Sequence, residues 1–479
     1  MSALDSNSTT PARASTSGED DGRRLGFQTL EIEREVDSLD LEGRMPEWLT
    51  GSLYRVGPAK FEAGGRSVNH WFDGFSMLHR FTIAGGQVSY ANRFLASKAY
   101  RAVSESGELS YSEFATDPCR TLFGRVAAAF HPTITDNANV NLTRLGDELV
   151  AMTETRLPIV FDPGTLQAAG VVSPAPGEQS TAHPHERGGE ALFYAVKFGP
   201  RSSYRLYARR GTSAQRRIAR WGAPRPSYMH SFGLSARYAV LAECPFVVNP
   251  LDLALAGRPF IENFRWQADR PTIFTVIELE SGDLRARVEA EPFFCFHHVN
   301  SFEQEGELVV DLVAYEDASI VEALYLEALR AGAPIPRGEL RRYRLPLDGG
   351  EARRETIATD LELPRIDYAR HNGRPYRYVY GNSFGEGAGL SGAVRKIDVG
   401  DGSVTDWCAE GTYPGEPVFV AAPEARYEDQ GVLLSLVLEP AGETSFLAVI
   451  DASDMSEICR ARVPHPVPLG FHGAFYSAG

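Results

Sequence analysis

Two adjacent histidines, His297 and His298, lie in an aromatic stretch of the chain. Four aromatic residues between positions 293 and 302 predict a buried strand, and side chains alternate in direction along a strand. The two imidazoles therefore face opposite sides, so one of them points into apolar surroundings. A buried imidazole needs a partner for each ring nitrogen. Taken alone, this pattern favours a core histidine bonded to a carbonyl group.

Three more histidines, His183, His230 and His472, also have small or aromatic neighbours. Such neighbours suit an imidazole that points into a tight, dry centre. Four neutral imidazoles would leave a divalent metal ion its full charge, and imidazole suits iron, copper or zinc. The histidines form no local motif, but their dispersal is what a propeller gives when separate blades each send one ligand to the axis.

Three glutamates stand in apolar or proline-rich surroundings, at Glu154, Glu362 and Glu416. A histidine that binds a metal usually donates its other ring N–H to a carboxylate or a carbonyl group. Each glutamate taken singly is explained as an exposed loop acid. Together they could orient three of the four histidines and offset the charge of a metal ion.

The elements that would position these residues are mostly short β-type runs separated by Gly and Asp turns. Examples are residues 274–280, 308–314 and 432–438. Such runs predict an all-β sandwich, barrel or propeller. At 479 residues a propeller fits best, because radial blades are added without long exposed edges. No repeat gives the number of blades.

Three segments carry more local predictions. Residues 70–81 predict two aromatic strand pieces joined by an Asp-Gly turn. Residues 117–130 predict a short helix, either a buried connector or a surface element touching a membrane. Residues 320–330 predict a second helix from their apolar spacing.

The composition excludes several classes of protein. The net charge of −15 argues against a nucleic-acid partner, because no cluster of basic residues stands out to offset it. Five scattered cysteines without a CxxC pair indicate reduced thiols in a cytoplasmic protein. No apolar run is as long as a membrane span. Residues 1–26 predict a disordered tail without a secretion signal, followed by one catalytic domain over residues 27–479.

The chain resembles the carotenoid cleavage oxygenases from about residue 39 to residue 475. The likeness rests on residues 51–58, 69–74, 181–184, 296–300 and 470–473. It implies a seven-bladed propeller with a cap of helices and loops over Fe(II) on the axis. It also implies the iron ligands His183, His230, His297 and His472, with His297 chosen over His298 because it directly follows a phenylalanine. The outer glutamates of the family match Glu154, Glu362 and Glu416.

Within that family the chain is most similar to the animal branch, through residues 133–140, 153–155 and 117–119. This similarity implies that Phe114 lines the substrate tunnel and that Val140 lies beside the open metal position, where some relatives carry Thr. Thr153 and Phe296, next to an outer glutamate and a ligand, are predicted to contact the substrate. Cys119 matches a lipidated position, which implies peripheral membrane contact through residues 117–130.

The activity implied is oxidative cleavage of a conjugated C=C bond in a carotenoid or apocarotenoid by O2, giving two carbonyl products, with retinal as the product of central cleavage. Three alternatives remain open. A stilbene-cleaving dioxygenase would have Lys where Thr153 stands. A retinoid isomerohydrolase would cleave an ester without oxygen. A propeller without catalytic activity would serve as a binding scaffold.

Overall fold

The computed structural model describes residues 20–117, 135–172, 179–212, 215–255, 257–385 and 392–478. Within these ranges the chain is mainly β-strand, and seven antiparallel sheets of four to six strands form the blades of a propeller. The all-β class predicted from the short strands is confirmed, as is the number of blades implied by the family resemblance.

The first three blades contain the following strands. Blade 1 consists of β1 (Arg34–Val36), β3 (Gly51–Lys60), β6 (Phe75–Ala84), β7 (Gln87–Phe94) and β36 (Gly473–Ser477). Blade 2 consists of β8 (Asn141–Leu145), β9 (Glu148–Met152), β10 (Ile159–Phe161) and β11 (Ala168–Val171). Blade 3 consists of β12 (Gln179–Ser180), β13 (His185–Arg187), β14 (Glu190–Lys197), β15 (Ser203–Arg209) and β16 (Arg216–Gly222).

The other four blades follow in chain order. Blade 4 consists of β17 (Gly233–Leu234), β18 (Tyr238–Glu243), β21 (Thr272–Glu278) and β22 (Leu284–Ala290). Blade 5 consists of β23 (Phe294–Gln304), β24 (Glu307–Tyr315), β25 (Glu339–Pro346) and β26 (Arg353–Thr359). Blade 6 consists of β27 (Glu362–Arg365), β28 (Tyr378–Ser383), β29 (Ala393–Asp398) and β30 (Val404–Trp407). Blade 7 consists of β2 (Leu41–Gly43), β31 (Tyr413–Pro414), β32 (Val418–Ala421), β33 (Gly431–Glu439), β34 (Thr444–Asp451) and β35 (Glu457–Val463).

Both ends of the described chain close the ring of blades. The last strand, β36, pairs with β3 of blade 1, and the early strand β2 pairs with β35 of blade 7. Each end therefore completes the blade begun by the other, which removes two exposed sheet edges. The closure also brings the residues just before β36 to the propeller axis.

Helices and small sheets fill the connections between strands. The α-helices are α1 (Asp20–Leu25), α2 (Lys98–Ser106), α3 (Pro250–Leu255), α4 (Ser319–Ala323), α5 (Leu326–Arg330) and α6 (Tyr368–His371). The 3-10 helices are Trp71–Asp73, Ile261–Asn263 and Pro440–Gly442. The two-stranded sheets pair β4 (Glu62–Ala63) with β5 (Arg66–Ser67), and β19 (Phe246–Val248) with β20 (Phe264–Trp266).

Two local predictions are confirmed only in part, and both deviations lie at one contact. The helix predicted over residues 320–330 is broken into α4 and α5, because Tyr325 is extended and pairs with His70. Next to that pair, the Trp71 N–H donates a backbone hydrogen bond to the Leu324 carbonyl. The first of the two predicted strand pieces in residues 70–81 is accordingly a 3-10 helix, Trp71–Asp73, capped by the His70 side chain.

The structure describes the chain from residue 20, before the predicted end of the tail at residue 26. Helix α1 starts at Asp20 and packs against α5 and the 3-10 helix Pro440–Gly442. Arg23 is buried, and Phe27 is fully buried. Membrane contact through residues 117–130 stays a prediction, because residues 118–134, including Cys119, lie outside the described ranges. No helix in the described part is long and apolar enough to cross a membrane.

The segment from β14 of blade 3 to β18 of blade 4 has an unusual charge. Residues 191–242 contain no Asp or Glu, although the whole chain has a net charge of −15. The same stretch carries ten basic residues: Lys197, Arg201, Arg205, Arg209, Arg210, Arg216, Arg217, Arg220, Arg225 and Arg237. All but Arg205 and Arg209 are exposed. The sequence-based statement that no basic cluster stands out is therefore wrong for this segment.

Candidate metal centre

The structure brings the four predicted histidines together. His183, His230, His297 and His472 each offer one ring nitrogen to a cluster whose nitrogens all lie within 4.8 Å of one another. The Nε2 atoms of His183 and His230 are 2.8 Å apart, and those of His297 and His472 are 3.2 Å apart. The four Nε2 atoms therefore point at one common centre.

The blade architecture places these residues around the axis. His183 follows β12, His230 precedes β17, His297 lies in β23, and His472 directly precedes β36. The innermost strands of neighbouring blades contact one another around the axis. The contacting pairs are β17 with β23, β23 with β27, and β36 with β8. Residues far apart in the sequence thus meet because each sits at the inner end of a different blade.

A backbone irregularity separates His297 from its neighbour. The register of β23 against β24 shifts between Cys295 and His298, which re-aims the side chains there. His297 turns toward the cluster, whereas His298 is bonded through Nδ1 to the Ser231 hydroxyl at 2.9 Å. The geometry thus places His297, and not His298, in the cluster.

Three of the histidines are paired with the three predicted glutamates. The Nδ1 atoms of His230, His297 and His472 lie 2.6, 2.6 and 2.7 Å from carboxylate oxygens. Their partners are Glu154, Glu362 and Glu416, respectively. Each Nδ1–H is thereby donated to a carboxylate, which leaves the Nε2 lone pair free for a metal ion.

Each glutamate is held by a further group that sequence reasoning missed. The Tyr228 hydroxyl donates to both Glu154 oxygens, at 3.0 and 3.1 Å. The Tyr315 hydroxyl donates to Glu362 at 2.8 Å. Tyr228 lies only two residues before His230, so its closeness to a predicted ligand could be read from the sequence. The residues near Tyr315 in the sequence do not indicate its role, because it reaches Glu362 from another blade.

Glu416 is different, because it is bound by arginines. The Arg365 Nε donates to its carboxylate at 2.6 Å, and the Arg55 Nη1 donates to its backbone carbonyl at 3.0 Å. Arg55 Nη1 also lies 3.7 Å from the carboxylate, which is fully buried. Burial alone would raise the pKa of Glu416, but Arg365, His472 and Arg55 hold it far below its usual range. Glu416 is thus ionised.

Burial keeps two of the histidines, His183 and His472, neutral. Burial lowers the pKa of His472 to about 4, against the opposing effect of Glu416. Burial, with the neighbouring His230 and His472, puts the pKa of His183 well below its usual value. Neutral imidazoles at neutral pH are the state that binds metal ions.

The spacing of the nitrogens fits binding to a single metal ion. Two nitrogens held about 2.1 Å from one ion lie about 3.0 Å apart when they bind at right angles, and about 3.4 Å apart in a tetrahedron. The separations of 2.8 and 3.2 Å lie on both sides of the right-angle value. Separations of this size suit imidazoles that bind one ion together, and four imidazoles suit iron, copper or zinc.

An aromatic wall, formed by Phe72, Phe114, Phe296 and Phe471, lies beside the cluster. The Phe72 ring stacks on His230 with centroids 6.3 Å apart and contacts the other three rings at 5.1–5.8 Å. The ring of Phe296 meets His230 at 5.5 Å. Phe114 and Phe296 therefore lie together with Phe72 and Phe471, which the sequence did not single out, and contact of these rings with a substrate stays a prediction.

The other two predicted substrate contacts lie in the inner part of blade 2. Val140 is half-buried, donates its N–H to Met152 and packs against the apolar cluster around Val150 and Ala182. Thr153 is buried next to Glu154, and its hydroxyl oxygen accepts the Thr155 N–H at 3.4 Å. Contact with a substrate at these positions stays a prediction.

Comparison with known proteins gives the family. Residues 27–477 match the family model described as retinal pigment epithelial membrane protein. The chain is 34% identical over 505 residues to the mitochondrial carotenoid-cleaving dioxygenase of Macaca fascicularis, covering 90% of both chains. It is 30% identical over 503 residues to the beta,beta-carotene 15,15'-dioxygenase of Rattus norvegicus, covering 90% of this chain and 88% of that one.

Solved structures agree with this assignment. A cobalt-substituted form of the Synechocystis apocarotenoid oxygenase superposes with a TM-score of 0.86 at 25% identity, covering 96% of this chain and 99% of that chain. The protein belongs to the family of the retinal pigment epithelial membrane protein and the carotenoid oxygenases. The family predicted from the sequence is confirmed.

Glu154 provides a direct test of the outer carboxylates. Replacing Glu154 with glutamine keeps its shape but replaces the anionic acceptor of the His230 N–H with a neutral amide. We expect metal affinity to fall by about 10–100-fold, the usual scale for such partners. Equilibrium dialysis with Fe(II) or Co(II) measures the change. Tyr228→Phe, which removes only the hydroxyl bonded to Glu154, is the matched variant and should cost less. Unchanged affinity in Glu154→Gln would contradict this role.

Proposed function

We propose that the protein is a non-haem Fe(II) dioxygenase that cleaves a conjugated C=C bond of a carotenoid or apocarotenoid. The observation that carries the proposal is the centre of four histidines, three of them bonded to carboxylates, beside an aromatic wall in a member of this family. Addition of O2 across one C=C bond gives two carbonyl groups, so all atoms are accounted for without a side-chain acid or base.

Iron is the metal proposed for His183, His230, His297 and His472. Fe(II) held there would supply the electrons with which O2 is activated toward a polyene. The donor set supports this proposal, because neutral imidazoles would leave the ion electrophilic. The three carboxylates balance the charge from outside the centre.

The residues of the chain orient the substrate and keep water out. The aromatic wall presents ring faces and edges beside His230, and a flat polyene packs favourably against such rings. Burial of Phe296 and Phe471 beside the cluster keeps the site apolar, as expected for a site that encloses most of its ligand. Substrate position relative to the wall would determine which double bond is cut, and central cleavage would give retinal.

The stilbene-cleaving alternative is not favoured. Enzymes of that type, by the resemblance, place a lysine directly before the first outer glutamate to bind a phenol. Here the residue is Thr153, buried and without charge. A phenolic substrate would have no cation at that position.

Reconstitution with Fe(II) under anaerobic conditions, followed by exposure to air with β-carotene or β-apo-8'-carotenal in detergent, tests the proposal. We expect aldehyde products, identified by chromatography and mass, that require both iron and O2. Parallel assays with a hydroxystilbene, and with a retinyl ester without oxygen, cover the alternatives. Iron-loaded protein that converts the stilbene or the ester but no polyene would overturn the proposal.

A further inference from the structure

His183 differs from the other three histidines of the cluster. Within the described residues it has no carboxylate partner; instead its Nδ1 lies 3.3 Å from the Nδ2 of Asn141. Asn141 is the first residue of β8, the inner strand of blade 2. The fourth histidine is therefore paired with an amide from the neighbouring blade.

Two backbone groups fix the orientation of the Asn141 amide. Its Nδ2 donates to the Ala182 carbonyl at 3.1 Å, and its Oδ1 accepts the Leu142 N–H at 2.8 Å. Turning the amide over would set oxygen against the Ala182 carbonyl and NH2 against the Leu142 N–H, which loses both hydrogen bonds. The amide NH2 group therefore faces His183.

The direction of this contact determines where the His183 proton lies. A nitrogen that faces an N–H donor must be the acceptor, so Nδ1 is unprotonated and the ring proton of the neutral imidazole is on Nε2. That Nε2 is 2.8 Å from the Nε2 of His230, whose own proton is on Nδ1 and is donated to Glu154. The His183 proton therefore occupies the nitrogen that faces the common centre of the four histidines.

A metal ion bound by the cluster needs the Nε2 lone pair of His183. The Nε2 proton must then move to Nδ1, where it meets the Asn141 NH2 group, or leave to solvent. The other three histidines already carry their proton on Nδ1. Only His183 has to change its proton position or its hydrogen bond to act as a ligand.

We propose that Asn141 is a positioning residue that weakens His183 as a metal ligand by stabilising the wrong ring tautomer. This inference rests on the proposed metal centre but concerns a separate quantity, the relative strength of the four ligands. The site thereby has three ligands supported by carboxylates and one opposed by an amide donor, so His183 is the ligand that releases most readily.

The test is the substitution Asn141→Asp. A carboxylate at this position accepts the Nδ1–H of His183, so we expect Co(II) and Fe(II) to bind about 10-fold more tightly, on the scale of other outer carboxylates. The hydrogen bond to the Ala182 carbonyl is lost with and without metal, so its loss lowers stability and does not enter the metal affinity. Competition with a chromophoric chelator measures the affinity. Damage to the fold would weaken binding, so tighter binding cannot come from damage. Thr143→Asp, two residues along β8, adds the same charge without touching His183 and should leave affinity unchanged.

The outcomes separate this inference from the proposed function. Wild-type protein that binds no divalent metal would overturn both. Metal binding by the wild type with equal or weaker binding by a folded Asn141→Asp variant would overturn only the role of Asn141. A second measurement is independent of that variant: 15N NMR of the histidine rings in metal-free wild type should show His183 protonated on Nε2. Protonation on Nδ1 would also overturn the inference.

Discussion

Replacing His297 with alanine should lower metal affinity by more than the 100-fold or so expected for loss of an outer carboxylate, and abolish polyene cleavage. The substitution removes one of four nitrogens that point at the centre and leaves Glu362 buried without its imidazole partner. A group that binds the ion directly contributes more than one that only orients a ligand. Metal content per chain, measured after dialysis against Fe(II), is the readout.

His298→Ala is the matched control for that experiment. It removes an identical side chain from the next position of β23, where the ring is bonded to Ser231 and lies outside the cluster. We expect this variant to keep its metal and its activity. Loss of metal in the His298 variant but not in the His297 variant would contradict the assignment of the cluster.

Replacing Glu416 with glutamine should have the largest effect on stability. The substitution removes the negative charge that two arginines face: Arg365 at 2.6 Å, and buried Arg55 at 3.7 Å. Removing one partner of a buried ion pair costs about 3–5 kcal/mol in the free energy of unfolding, because the remaining charge stays buried. Urea unfolding measures the loss. His472 loses its anionic partner in this variant, so the protein should also retain less metal.

Glu362→Gln is the matched variant for Glu416→Gln. Glu362 is also buried and also binds a histidine, but its other partners are the Tyr315 hydroxyl and the Leu363 N–H. Glutamine offers one acceptor fewer to these neutral donors, and a buried donor left without its acceptor costs about 1–3 kcal/mol in the free energy of unfolding. Equal losses in the two variants would show that the arginines do not determine the stability effect.

The pH dependence of the Glu416 effect follows from its lowered pKa. The carboxyl group has a pKa of 4.5 without the fold and a much lower one within it. Its ionised form therefore stabilises the protein fully above about pH 5, and that contribution is lost as the pH falls below 4.5 toward the folded value. The difference between wild type and Glu416→Gln should be constant near neutral pH and shrink in acid.

Much of the site could be predicted because its residues sit in locally unusual surroundings. A histidine inside an aromatic run, or a glutamate between prolines, is visible in sequence because burial of a polar group needs a reason. The tyrosines and arginines around the glutamates gave less signal. Tyr315 and Arg365 act across blades, and their own neighbours in sequence are ordinary strand residues.

The propeller class followed from strand length and turn residues, which are local properties. The failure at residues 320–330 had a non-local cause, because the apolar spacing was helical but Tyr325 pairs with His70. The shift of register at Cys295 was equally hidden. It depends on how β23 meets β24, and it decides which of two neighbouring histidines reaches the axis.

The ten basic residues of the segment 191–242 make the charge of the molecule uneven. Because this segment has no acid, the rest of the chain carries more negative charge than the net value of −15 suggests. At physiological salt the field of these residues reaches about 8 Å, so a charged group must come that close before it meets positive charge on an otherwise acidic protein.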